Sequence, residues 1–206
     1  MERIPASPPA ESPAEPAPAL HRHAADDLAF IRRTMQRAGS FTAVPGRGGM
    51  LMGVVGLIGA AVASQQDDGG GWLAAWLATA GLALLVGLIA FRMSTRAAGV
   101  GLLVGSGGRF FAALVPAMVV GALLTPVLYR NGLRSALPGA WLLLYGAALV
   151  TGGLLSLRLV AVMGGLFMLL GLGALMTSPD WGDAWMAAGF GGLHLAFGAA
   201  IARSSP

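Results

Sequence analysis

One imidazole stands in FGGLHLAFG, residues 190–198, among glycines, leucines and phenylalanines. Histidine is the side chain whose ordinary titration falls closest to neutral pH. An ionisable group inside an apolar stretch is a functional candidate by default, so His194 is the first place to look for chemistry. Within another apolar stretch, residues 138–156, Thr151 falls at a similar depth and Tyr145 lies nearer its beginning. Either could hydrogen-bond the imidazole if two helices touch. Two readings of the trio stay open: a neutral histidine bridging two helices, or a proton sensor or relay.

Little else could do chemistry. The chain has no cysteine, which excludes disulfides, thiolate nucleophiles and cysteine-ligated metal. HRH at 21–23 offers two imidazoles without a third ligand. GVGLLVG at 99–105 has the spacing G-x-G-x-x-x-G, follows no strand and precedes no suitably placed acid, so it is not a dinucleotide loop. Ser106 has no histidine or acid anchored beside it. There is no H-E-x-x-H, no G-x-S-x-G and no phosphate loop. No catalytic, cofactor-binding or metal-binding residue is assigned, and the chain is expected not to be an enzyme.

The elements that must position His194 are membrane spans. Of 206 residues, 56% are apolar and 11% charged, and mean hydropathy is +0.73. Soluble domains carry about 25% charged residues, so this chain lacks the polar atoms to cover a globule in water. A spanning helix needs about 20 mostly apolar residues. Six stretches qualify: 48–64, 72–91, 110–128, 138–156, 159–176 and 184–202. The fold class is therefore all-α, a polytopic helical membrane protein with its transmembrane domain over 48–203. Residues 98–108 are either an interfacial helix or an extension of the second span.

Ahead of the spans the material changes. Residues 1–23 are rich in proline, alanine, serine and glutamate, and MERIPASPPAESPAEPAPAL holds no apolar run of signal-peptide length. A disordered cytoplasmic tail is expected there. Residues 24–38, AADDLAFIRRTMQRA, place Leu28, Ile31, Met35 and Ala38 on one helical face and arginines on the rest. That pattern predicts a basic amphipathic helix lying on the anionic inner leaflet or docking a cytosolic partner through residues 1–38.

Basic charge comes from 13 arginines and no lysine. With the N-terminus inside, only Arg130 and Arg134 fall outside, leaving eleven inside, while Asp67, Asp68, Asp180 and Asp183 all fall outside. This is a positive-inside distribution. It predicts a multi-pass protein of the bacterial cytoplasmic (inner) membrane with both termini cytoplasmic. It also argues against nucleic acid as a partner, since the arginines fringe a bilayer instead of forming one face.

Spans two, four and six each open on Ala-Trp and close on arginine: Trp76 to Arg92, Trp141 to Arg158, Trp185 to Arg203. These six residues are expected to be interfacial anchors. A shift of 111 residues aligns the first hairpin with the third, pairing Arg47 with Arg158, Gly53 with Gly164, Gly81 with Gly192 and Gly87 with Gly198. Three pseudo-repeated helical hairpins are the predicted architecture. Small residues let helices approach closely in lipid, so Gly49, Gly53, Gly191, Gly192 and Gly198 are expected to be packing positions, possible also between copies in a homo-oligomer. Pro116 and Pro126 are expected to interrupt the third span.

The Gly-spaced first helix, short outer turn and AWLATAGLALLVGLIAFR hairpin resemble those of the HdeD-type acid-resistance membrane proteins, small six-helix bacterial proteins built from short repeats. The likeness covers roughly residues 47–203; the proline-rich tail and the long link between spans two and three depart from it. AGSFTAVPGRGGM, ALPGAWLLLYG and AAGFGGLHLAFGAAIAR are more closely similar to stretches of uncharacterised bacterial six-span membrane proteins, which implies a family and no activity. Two functions remain in view. One is a non-catalytic inner-membrane protein in a stress-response or regulatory role. The other is a small transporter or channel for a neutral or weakly charged solute, with His194 on its path.

Overall fold

The computed structural model describes residues 27, 28, 30, 46–97, 106–154 and 157–204. The tail at 1–23, most of the basic helix at 24–38 and the link at 98–105 lie outside the described residues. Asp27, Leu28 and Phe30 are helical and exposed. Every other described element is helical too, and all of them fall in one contact unit, Thr42–Pro206.

Among the described residues six helices are long and apolar enough to cross a membrane. They are α1 (Gly46–Ala63), α2 (Gly69–Ala97), α3 (Ser106–Arg130), α4 (Leu137–Leu154) and α5 (Arg158–Met176). The sixth, α6, is assembled from Gly182–Met186, a π-helical stretch Ala187–Leu193, and His194–Ser204. At about 1.5 Å per residue, α1 just matches a hydrocarbon core of about 30 Å, whereas the 29 residues of α2 overshoot it. α2 runs six residues past the expected end of the second span, and residues 106–108 belong to α3; the rest of the 98–108 stretch lies outside the described residues.

Local chemistry sets the helix ends. Asp68 caps α2, its Oδ1 accepting the Gly71 N–H at 2.7 Å. Past α3, Gly132 turns to φ +74°, the Leu133 N–H reaches the Leu128 carbonyl, and the Gly132 N–H reaches that of Tyr129. This is a Schellman turn, whose left-handed residue is glycine because a Cβ would be strained there. Pro116 and Pro126 do not break α3, which runs unbroken through both; the expectation of an interrupted span is corrected. Each proline removes one N–H, and the remaining ladder suffices to carry the helix past it.

The tightest pairings cross the hairpins. α4 lies along α5, and α1 lies along α6; α1 with α2 and α3 with α4 follow, while α5 and α6 touch only lightly. Glycines explain the first pair. Gly139, Gly146 and Gly153 recur every seven residues on α4 and face Gly171, Gly164 and Ala161 on α5. A seven-residue repeat keeps one seam facing the partner along the helix. A Cβ on Gly146 would stand 2.7 Å from the Gly164 carbonyl oxygen, and one on Gly164 2.6 Å from that of Gly146, so only hydrogen fits on either side.

The second pair uses the predicted glycines. Gly49 faces Gly198, and a Cβ on Gly53 would meet the Gly191 carbonyl at 2.8 Å. Gly198 packs on the backbone of Gly46, Gly49 and Met50, and Gly191 packs on Leu57. Gly192 departs from the expectation: it is exposed, and a Cβ there would find only the Ala187 carbonyl at 4.0 Å. It lies one residue, about 100° around the helix, from Gly191, so it turns out of the seam that Gly191 enters.

Candidate functional site: a tyrosine–histidine pair beside an apolar cleft

His194 follows directly on the π-helical stretch AAGFGGL, where glycines at 189, 191 and 192 leave few side chains to resist a widened turn. Such bulges are frequent at functional sites. A helical Cα–Cβ bond tilts toward the N-terminus, which carries the imidazole back along α6 to the level of Tyr145 on α4. Tyr145 Oη and His194 Nε2 are 2.9 Å apart. The ring is 5% exposed and enclosed by aromatic rings. Phe167 meets it edge-on with centroids 5.5 Å apart, and Phe190 lies nearly parallel at 6.3 Å. Phe167, from α5, is itself fully buried.

The direction of that hydrogen bond follows the ring's tautomer: a bare Nε2 accepts from the Tyr145 hydroxyl, and a protonated Nε2 donates to it. Nδ1 is buried and makes no hydrogen bond, although the backbone of Gly189 and Phe190 is polar surroundings for the ring. The pair is a polar tie between α4 and α6, with Phe167 of α5 packed against both rings.

Thr151 does not join. It is exposed, and its Oγ1 donates to the Ala147 carbonyl of its own helix at 3.0 Å. Six residues on from Tyr145, it points about 120° away around α4; equal depth is not equal face. Among the described residues no group of three or more histidines and acids could hold a metal.

At the opposite end of the spans from the arginines stands a second polar cluster that sequence reasoning missed. The Trp72 and Trp76 indoles both donate to Asp183 Oδ1, at 2.8 and 2.9 Å. Trp141 donates to Thr125 Oγ1 at 2.9 Å and lies parallel to Trp72, centroids 5.9 Å apart. The Arg134 guanidinium sits 6.0 Å over the Trp72 ring. The expected anchors therefore divide. Arg92, Arg158 and Arg203 are exposed. Trp76 is 3% exposed and turns into the protein, because a carboxylate there satisfies its N–H better than a crowded headgroup region would. Trp185 bonds Thr177 Oγ1 at 2.8 Å. The signal available in advance was the spacing of Trp72 and Trp76, four residues apart and so on one helical face.

Between these clusters and the arginine ends runs a cleft of about 620 Å³ to which all six helices contribute. Trp76, Trp141 and Thr125 stand at one end, Tyr145 and His194 in its middle, and Phe91, Phe110 and Phe111 at the other. The three phenylalanines pack edge-to-face. Nearly all the wall is hydrocarbon, and its hydroxyls are already engaged: Thr79 donates to the Ala75 carbonyl and Thr125 to that of Gly121.

No protein-family model matches the chain, and no curated protein or solved structure matches it either.

Proposed function

We propose that the chain is a non-catalytic protein of the bacterial inner membrane, with both termini cytoplasmic, acting as a regulatory or stress-response component. The observation that carries this reading is the pairing of the bundle's interior polar groups. Tyr145 holds His194, Asp183 takes two indoles, and the buried Thr125 bonds Trp141 and its own helix. No chain of polar groups links the two clusters through the cleft. A relay needs neighbours that hand a proton on, and a catalytic constellation needs a nucleophile or carboxylate beside the base; the imidazole has rings beside it instead. The likeness to HdeD-type proteins points the same way, toward a membrane component that responds to stress. The arginine distribution supports the orientation, and the basic stretch at 24–38 supplies a surface for a cytosolic partner.

The test is a comparison of the full chain with one lacking residues 1–38. Co-purification of a specific cytosolic protein from cross-linked membranes, lost on the deletion, is the expected result. A second reading, passage of a neutral or weakly charged solute, draws on one observation: His194 lines a cleft that follows most of the length of the spans. Solute flux into liposomes that disappears with His194→Phe would replace the first reading by the second.

A further inference from the structure

α2 and α3 are neighbours in sequence, yet they scarcely touch. Only 6% of the spanning window of each is buried, against 33–50% for the other four. They stand apart over the cleft, which is open along one flank, and their exposed apolar residues continue its wall outward: Leu77, Leu84 and Leu88 on α2, Val115, Met118 and Val119 on α3. A gap in a bilayer opens onto acyl chains, not water.

We propose that this cleft is a lipid site, holding a hydrocarbon chain of a phospholipid that enters sideways between α2 and α3. Length and lining favour that occupant. Along α2 the lining runs from Trp76 to Phe91, about 22 Å at 1.5 Å per residue. A volume of about 620 Å³ along that length has room for an extended hydrocarbon chain. The wall suits such a guest. Small residues, Ala80, Ala83 and Gly87 on α2 and Ala117 and Gly121 on α3, leave the space, and the threonines that border it have no hydrogen bond left to ask for. Apolar cavities of this kind stay dry and take apolar guests, and the volume lies within the usual range of ligand pockets, about 300–1,000 Å³. The Phe91, Phe110 and Phe111 cluster closes the arginine end. This site stands whichever function the bundle serves.

The test uses the full chain in phosphatidylethanolamine/phosphatidylglycerol vesicles containing a trace of phosphatidylethanolamine with a photoreactive diazirine midway along one acyl chain. Irradiation and peptide mapping are expected to place label on Ala83, Ala117, Leu144 and Met163 several-fold above Leu85, Ile89 and Val120, which face away from the cleft. Ala83→Trp and Ala117→Trp should each abolish the excess, while Leu85→Trp leaves it intact. Mapping on the unaltered chain needs no variant, so misfolding cannot mask the answer. Uniform labelling of both faces would overturn the proposal. So would an excess that survives both tryptophans, or cleft residues that cross-link to a second copy of the chain in place of lipid.

Discussion

At Tyr145 and His194 the relevant comparison is between a made and an unmade hydrogen bond in a place without water. Tyr145→Phe keeps the ring and removes the hydroxyl, leaving Nε2 with no partner beside an Nδ1 that already has none. A buried group left unsatisfied costs about 1–3 kcal/mol, and a loss of that size is expected in reversible unfolding in detergent. The double variant Tyr145→Phe/His194→Phe, which removes both partners, should cost less than either single one, since His194→Phe alone strands the Tyr145 hydroxyl; an equal or larger loss would show that the imidazole is tied by more than Tyr145. Nitrogen NMR of the histidine at neutral pH, with His21 and His23 replaced, is expected to show one protonated and one bare ring nitrogen, and which is which gives the direction of the bond to Tyr145. Asp183 makes the same argument with two donors. Asp183→Leu strands the Trp72 and Trp76 indoles together, for a loss of about 2–5 kcal/mol, and Asp183→Asn should recover part of it because an amide oxygen still accepts. Sequence reading reached His194 and Tyr145 because ionisable and phenolic groups are conspicuous in lipid. It missed Phe167 and Phe190, since a phenylalanine in a membrane span carries no sign of what it will pack against.

Glycines decide between helices what hydrophobic character cannot, because lipid is as apolar as leucine. The seams of α4 with α5 and of α1 with α6 are built where carbonyl oxygens come within van der Waals contact of the facing backbone. Gly146→Leu should therefore disrupt the bundle, with a loss of about 3 kcal/mol or more, at the upper end of overpacking costs. Gly192→Leu, whose Cβ meets open space, should change stability by about 0.5 kcal/mol or less. Thermal unfolding of the two variants side by side checks the contrast, and equal losses would mean that Gly192 packs after all. Glycine content was visible in the sequence, but facing was not. GLLSLRLVAVMGG and its neighbours contain glycines on several sides, and the seven-residue repeat of Gly139, Gly146 and Gly153 is meaningful only once α5 supplies Gly171 and Gly164 opposite.

Across the whole molecule the chain's lack of cysteine is an experimental convenience. A single cysteine at Gln66, in the polar turn between α1 and α2, should react with a membrane-impermeant maleimide in intact cells. One at Ser205, beyond Arg203, should react only after the membrane is opened. The reverse pattern would invert the orientation and with it the inward placement of residues 1–38. The 111-residue self-similarity suggested three hairpins, yet the closest helix pairs are α4–α5 and α1–α6, and the third hairpin's helices meet only lightly. Repeats in sequence describe how spans are laid down. Packing answers to which small faces find one another, and that need not follow chain order.

What this sequence determined by itself is what depends on length, solvent preference and charge. Six stretches are apolar over a bilayer's thickness, the turns between them carry the capping and polar residues, and all arginines but Arg130 and Arg134 are expected on one side. Each of those is a local property, legible one segment at a time. The tertiary structure alone decided that Tyr145 and not Thr151 meets His194, that Trp76 turns inward to Asp183, that Gly191 packs and Gly192 does not, and that α2 and α3 stand apart over a cleft. Those are questions of which side of a helix faces which neighbour. In a chain that is hydrophobic all round, no amphipathic stripe marks the answer; it comes from the fit of backbone to backbone where glycine leaves room.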